Sequence, residues 1–180
     1  MPSIKELKGP TVAWFPAPVV LVSCANNEVA NIITIAWAGV VCSKPPLISI
    51  SIRPSRFSYD LIFNSGEFVI NIPTSQQLEE TELCGSKTGE NTNKWTACNF
   101  TPVEGTKVSA PIIKECPVNI ECKVVKTIAN IGTHTIFIGE VQEVHVDPQT
   151  APKNVLDVVP LCYSPKGGIF GKSLALSEEI

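Results

Sequence analysis

Read from its amino terminus, the chain alternates short apolar runs with turn-forming residues, and helical periodicity is scarce. The first run, Pro18 to Ala25, ends at Asn26-Asn27 and predicts a buried strand. A second, β-branched and apolar, extends from Val29 to Val41 and is ended by Pro45-Pro46, with Asn31, Thr34 and Trp37 set into it at a spacing of three. Leu47 to Arg53 alternates strictly. Ile48, Ile50 and Ile52 face one side of a strand, and Ser49, Ser51 and Arg53 face the other. A polar strand face turned to solvent usually carries Lys, Glu or Thr; two short hydroxyls leading to an Arg suit the floor of a site.

Ser55 or Ser58 is expected to cap a helix that reaches about Asn64 and is stopped by Gly66. Glu67 to Ile72 reads as another buried strand, and Ser75 to Cys84 as an acidic helix with Gly85 beyond its end. Residues 85–117 are rich in Gly, Pro, Asn and Thr and read as an irregular connection, of a length more often functional than incidental. Val118 to Ile128 and Thr133 to Val146 predict two long strands joined as a hairpin through Asn130-Ile131-Gly132. Val155 to Val159 predicts a short strand before a Gly-containing tail, Lys166 to Gly171. Strands dominate, and no repeat or composition break divides residues 1–180. The pattern predicts one mainly β domain, a β-barrel with short helical insertions rather than alternating βαβ units.

Composition excludes several classes. With 44% hydrophobic and 17% charged residues the chain is not of the disordered type, and no uninterrupted apolar run is long enough for a membrane span. A net charge of −3 provides no basic surface for nucleic acid. Seven Cys, an odd number, disfavour a disulfide framework in a chain of this length. Their spacing, with His134 and His145 standing apart, is poor for a metal. Buried reduced thiols and a cytoplasmic location are therefore expected. Lys5 and Lys8 ahead of Leu21-Val22-Ser23-Cys24 mimic a lipoprotein signal, but Pro16, Pro18 and Glu6 argue against one, and Val19 to Cys24 reads better as a strand.

Candidate chemistry is concentrated in few places. There is no dinucleotide fingerprint, phosphate-binding loop, nucleophile elbow or zinc motif, and only three Asp and two His are available for acid–base work. A bound cofactor, rather than the side chains, is expected to carry difficult chemistry. Of 14 cationic residues only two are Arg, and both lie in Arg53-Pro54-Ser55-Arg56-Phe57-Ser58-Tyr59. Two guanidiniums, two hydroxyls and a helix start are what a phosphate monoester requires. Asn31 and Thr34 could bind a polar ring edge, with Trp37 against an aromatic plane, although ordinary strand residues and a core Trp explain the same pattern. His134 opens a strand; such a residue is more often structural, but over a site it would donate a proton or tune a redox group. Lys87 and Lys94 could both reach an anion, although plain surface lysines explain them as well, and for Lys94 the surface reading is slightly favoured.

Taken in order, five pieces resemble one family: Pro18-Val-Val-Leu-Val22, Asn31-x-x-Thr34-x-Ala36-Trp37, the segment Ser43 to Tyr59, Gly66-Glu-Phe-Val-Ile-Asn71 and His134-x-Ile-Phe-Ile-Gly-Glu-Val141. They resemble the flavin reductase-like, FMN-binding split-barrel family, above all its flavoredoxin-type members, over nearly the whole chain including the tail. The resemblance implies a split β-barrel homodimer holding FMN noncovalently. It implies an FMN-dependent oxidoreductase supplied with electrons by NAD(P)H, or alternatively a carrier reduced by a redox protein. By the same resemblance Asn31, Thr34, Ala36, Trp37 and Ala38 would border the isoalloxazine and ribityl chain. Ser51, Ile52 and Arg53 would continue along the ribityl, and Arg56, Ser58 and Tyr59 would hold the phosphate. Lys87 matches a loop that approaches the flavin, and His134 the family histidine near the ring. Asn93-Lys94 departs from the commoner Asp-Lys of that loop.

Overall fold

The computed structural model describes residues 9–12, 14–149, 161–164 and 168–170. The first half contains β1 (Ala17–Pro18), β2 (Val20–Asn26), β3 (Val29–Ile35), β4 (Ala38–Ser43), β5 (Pro46–Ile52), α1 (Phe57–Ser65) and β6 (Glu67–Ile72). A 3₁₀ turn (Ser75–Gln77) then leads into α2 (Leu78–Ser86), α3 (Lys94–Ala97), β7 (Pro102–Val103) and β8 (Ile112–Ile113). The chain continues with β9 (Val118–Ile128), β10 (Thr135–Val146), β11 (Cys162–Ser164) and β12 (Gly168–Phe170). The predicted strand at Val155 to Val159 lies outside the described residues.

Seven strands form one antiparallel sheet in the order β3-β2-β6-β9-β10-β5-β4. Six gaps at about 4.8 Å would separate the outer strands of a flat sheet by roughly 29 Å. Yet β3 and β4 occupy opposite edges and are joined by Ala36 and Trp37 alone, a link that reaches only about 7 Å beyond a normal step. The sheet must therefore curl until its edges nearly meet. The result is an open barrel whose seam is Ala36-Trp37. The single strand expected over Val29 to Val41 is thus two, because the chain leaves one edge and starts the other. At the seam, Ser51 N–H donates to Trp37 O at 2.9 Å, tying β5 to the crossing.

Alternation decides what fills the barrel. Val20, Val22 and Cys24 of β2, Ile50 and Ile52 of β5 and Phe68 and Ile70 of β6 point inward, where Phe137 and Leu61 and Ile62 of α1 join them. Gly139 passes so near Phe68 that a Cβ would lie 2.6 Å from its ring. The other face of β2 and β3 is covered as well: Leu21 and Ile32 pack with Cys84, Trp95, Cys98, Phe100, Ile113 and Cys116. This is why Pro18 to Ala25 is apolar at consecutive positions.

Several local expectations change. No Ser caps α1: Arg56 occupies its N-cap position without a side-chain cap bond, because Ser58 lies inside the first turn and is engaged by Asn31. Gly66, at φ 68°, does end that helix. Gly85 does not end α2, which continues to Ser86. A Cβ at Gly85 would be 3.3 Å from Thr34 Cβ, so packing on β3 explains this glycine better than chain termination. The hairpin between β9 and β10 turns where expected, with Asn130 at φ 62°.

The connection at 85–117 is more ordered than its composition suggests, since it holds α3 and the β7–β8 pair. Buried polar groups pin it to the sheet. Asn71 Oδ1 accepts from Ile113 N–H (3.0 Å) and Asn119 Nδ2 (2.8 Å). Glu121, wholly buried, accepts from the N–H groups of Thr106 (2.9 Å), Lys107 (2.8 Å) and Val108 (2.8 Å), from Thr106 Oγ1 (2.9 Å), and shares a proton-bearing contact with His145 Nε2 (2.5 Å). Burial alone would raise its pKa; the bonds from His145 and the three amides outweigh it and hold the carboxyl at about 2.

Among the described residues, no helix is long and apolar enough to cross a membrane, and no group of His, Cys, Asp and Glu is arranged to hold a metal ion.

Candidate functional site

The seam opens into a cavity of about 630 Å³. Thr34, Ala36 and Trp37 come from the crossing, Ser51, Ile52 and Arg53 from the end of β5, and His134 from the residue preceding β10. Strict alternation in β5 supplies the polar floor: Ile50 is buried inside the barrel while Ser51 faces the cavity. A second cavity, of about 300 Å³, lies between α1, α2 and the following loop. Asn31, Ser55, Arg56, Ser58, Lys87 and Lys94 line it. The two share Ile33, Thr34, Arg56 and Gly85 as walls, so one end is apolar and aromatic and the other cationic.

The cationic end is built to present donors. Asn31 Nδ2 donates to Ser58 Oγ at 2.8 Å, and both residues are buried. Asn31 occupies one lone pair of Ser58, whose hydroxyl also faces the buried Cys24 sulfur. Thr34 behaves in the opposite way: its hydroxyl donates to Thr81 O at 2.6 Å, so toward a ligand it can only accept. Gly89 holds the loop tightly against this end, since a Cβ there would lie 2.5 Å from Asn31 Oδ1 and 2.6 Å from Phe57 Cδ1.

Lys94 is not the surface lysine its loop context suggests. It is only 3% exposed, and Nζ donates to Ile32 O and Cys84 O, each at 2.7 Å. Burial pushes its pKa down, and the nearby Arg56 cation adds to this. An ammonium has three donors, and two are accounted for. Arg53 and Arg56 are exposed at the cavity wall and have no carboxylate partner among the described residues. Three cations thus gather along the joined cavities, whose walls also hold Glu82 and Glu90, although neither Arg is paired with a carboxylate among the described residues.

At the other end, the rings of Trp37 and His134 are parallel within 2° with centroids 6.3 Å apart, and Tyr163 leans on Trp37 at 5.9 Å. Thr133 Oγ1 lies 2.9 Å from His134 Nδ1. Burial, then Arg53 and Arg56, lower the pKa of His134, which favours the neutral ring near neutral pH.

Of the residues expected at the site, Thr34, Ala36, Trp37, Ser51, Ile52, Arg53 and His134 surround the larger cavity. Asn31, Ser58 and Lys87 surround the smaller, and Arg56 lines both. Ala38 lies on the far side of Trp37, in a third cavity of about 270 Å³ with Trp14 and Phe15. Tyr59 lines none of the three: it stacks on Phe63 at 5.8 Å and packs against Phe137 at 5.6 Å. Glu82, Gly85, Ser86, Tyr163 and Ile169 line the larger cavity without having been singled out. Only Tyr163, an aromatic beside the tail, carried any signal.

The walls thus offer cations and hydroxyls at one end and aromatic rings at the other. The chain belongs to the flavin reductase like domain family, which matches residues 12–167. Its fold overlays that of flavoredoxin from Desulfovibrio vulgaris (Miyazaki F) with a TM-score of 0.85 and 31% identity, over 97% of this chain and 99% of that one. Flavoredoxin from Methanosarcina acetivorans is similar at 27% identity and a TM-score of 0.82, over 98% and 96% of the two chains. An uncharacterised protein of Archaeoglobus fulgidus is 38% identical over 117 residues, 65% of this chain and 66% of that protein.

Proposed function

We propose that this protein is a flavoprotein that binds FMN and transfers electrons through it, as a flavoredoxin-like or NAD(P)H-dependent flavin reductase. The observation that carries the reading is the joined pair of cavities, cationic and donor-rich at one end and walled by Trp37, Tyr163 and His134 at the other. Family membership and the similarity to two flavoredoxins support it.

In this reading Arg56, Ser58 and Asn31 hold the terminal phosphate, with Lys94 supplying buried positive charge behind them. The small cationic pocket suits one phosphate monoester and so favours FMN over a dinucleotide flavin. Arg53 and Ser51 follow the polyol chain, and Thr34 accepts a hydrogen bond from it. Lys87 stands at the mouth, and Trp37 with Ala36 and Ile52 borders the ring. Tyr59 acts indirectly, by packing α1 on the barrel. When bound, a flavin supplies hydride and single-electron transfer; the protein orients it and tunes its potential. Neutral His134 offers the ring a hydrogen bond without adding charge beside Arg53.

The chain acts as one domain and pairs with a second copy through the apolar surface around Trp14 and Val40, which are 84% and 81% exposed. Its setting is the cytoplasm, and its partners are NAD(P)H or a redox protein.

The test is spectroscopic. Purified protein should be yellow or become so with FMN, and excess FMN should raise its melting temperature. Colourless protein that stays colourless in FMN rejects the proposal. Under anaerobic conditions NADH or NADPH should then bleach the bound flavin. Bleaching by dithionite but by neither nucleotide identifies the alternative, a carrier reduced by a protein partner.

A further inference from the structure

Behind the cationic cavity, where α2 meets the end of α3, two free thiols face one another. Cys84 Sγ and Cys98 Sγ are 3.6 Å apart, and both residues are buried. We infer that Cys84 and Cys98 form a reversible intramolecular disulfide, with a small hydroperoxide as the oxidant and Cys84 as the thiol oxidised first.

The geometry separates this pair from the other cysteines. A disulfide needs about 2.05 Å between sulfurs, so these must close by about 1.5 Å. Cys84 lies in the last turn of α2, followed by the exposed Gly85, Ser86 and Lys87, and Cys98 lies just past the four-residue α3. Both cysteines thus sit at helix ends and not within a barrel strand. Cys24 and Cys122 point into the barrel on the far side of the sheet. Cys116 belongs to the same apolar cluster as the pair, but among the described residues only Cys84 and Cys98 bring their sulfurs into contact.

Access and charge set the order of events. Cys84 lines the smaller cavity, whereas Cys98 does not, so a peroxide-sized molecule meets Cys84 first. Lys94 Nζ, bonded to the Cys84 carbonyl, favours the thiolates of Cys84 and Cys98, while burial raises both pKa values. The pair is therefore slow to react with bulky reagents but open to a small one. In the first step the Cys84 sulfur bonds to one peroxide oxygen, the O–O bond breaks, and the other oxygen leaves as water. Cys98 then attacks the sulfenic sulfur, forming the S–S bond and releasing a second water. Two thiols lose two electrons and two protons in all, and hydrogen peroxide is reduced to two waters.

The pairing is independent of the flavin reading and is tested on the full-length protein without FMN. After hydrogen peroxide and removal of the excess, thiols titrated under denaturing conditions should number two fewer than the original seven. The intact mass should fall by about 2 Da, and dithiothreitol should restore both values. Peptide mapping should join Cys84 to Cys98. Cys98→Ser should instead leave a sulfenic acid on Cys84, trapped by dimedone. A persistent seven thiols, a bond involving Cys116, or conversion of Cys84 directly to sulfinate in the unmodified chain would each overturn the inference. None of these three readouts needs a variant, so a poorly folding Cys98→Ser does not blunt the test.

Discussion

Two buried polar clusters, one around Glu121 and one around Lys94, treat charge in opposite ways. Around Glu121, three backbone amides, a hydroxyl and His145 converge on one carboxylate. Along the joined cavities, Arg53, Arg56 and Lys94 gather in the walls, and among the described residues the Lys94 ammonium donates to two carbonyl oxygens and to no carboxylate. The first cluster is electrostatically closed and fastens a long loop to the barrel. The second is left open, since Arg53 and Arg56 have no carboxylate partner among the described residues. A buried charge that is fully satisfied serves the fold, whereas unpaired cations lining a cavity are candidates for a ligand site.

The largest expected effect breaks the closed cluster. Glu121→Gln replaces an all-acceptor group by an amide whose NH₂ would face donors, and should cost about 3 kcal/mol in chemical denaturation. The same residue sets an acid limit. Its carboxyl falls from an ordinary 4.5 to about 2 in the fold, so its stabilisation is complete above the unfolded value and is lost as pH falls from 4.5 toward 2. Denaturation midpoints in that window should decline less steeply in Glu121→Gln than in the unmodified chain.

Arg56→Ala probes the open cluster. FMN binding should weaken by about 1.5–3 kcal/mol, the worth of a hydrogen bond to a charged group. Stability without ligand should stay within about 0.5 kcal/mol, because the guanidinium is exposed. Unchanged affinity in isothermal titration would remove the phosphate from this cavity. Lys94→Met sharpens the contrast further: FMN affinity should fall, yet apo stability should suffer less than in Glu121→Gln, since relief of a buried charge offsets two lost hydrogen bonds. The smallest effect is a titration shift. By NMR, the free protein should show His134 titrating below the ordinary 6.5, and Arg53→Gln should move the midpoint upward by removing one neighbouring cation.

How far these features can be read without coordinates depends on their range. The strict alternation of Leu47 to Arg53 announces both its buried face and its polar one, and Gly66 and Asn130 mark turns because each needs a left-handed backbone. The Arg53 to Tyr59 segment shows its two Arg and two of its hydroxyls in seven consecutive residues, and Arg53, Ser55, Arg56 and Ser58 do line the cavities. Lys94 shows the opposite case. Nothing within a few residues of it distinguishes a surface lysine from one enclosed by Ile32 and Cys84, because those partners arrive from a distant strand and helix. Gly85 misleads for a related reason: a glycine near a helix end commonly terminates it, but here Thr34 of β3 requires the missing side chain.

What the sequence by itself determined is local: a mainly β chain, the buried and exposed faces of its strands, the hairpin, and a phosphate-like constellation of Arg and Ser. These follow from backbone sterics and side-chain periodicity, which act over neighbouring residues. Only the tertiary structure decided that Val29 to Val41 breaks at Trp37 to become the barrel's seam, that Lys94 turns inward, and that Tyr59 supports the site from behind. It alone brought Cys84 to Cys98. Each of these is a contact between segments far apart in the chain, and sheet closure, not local preference, determines which segments meet.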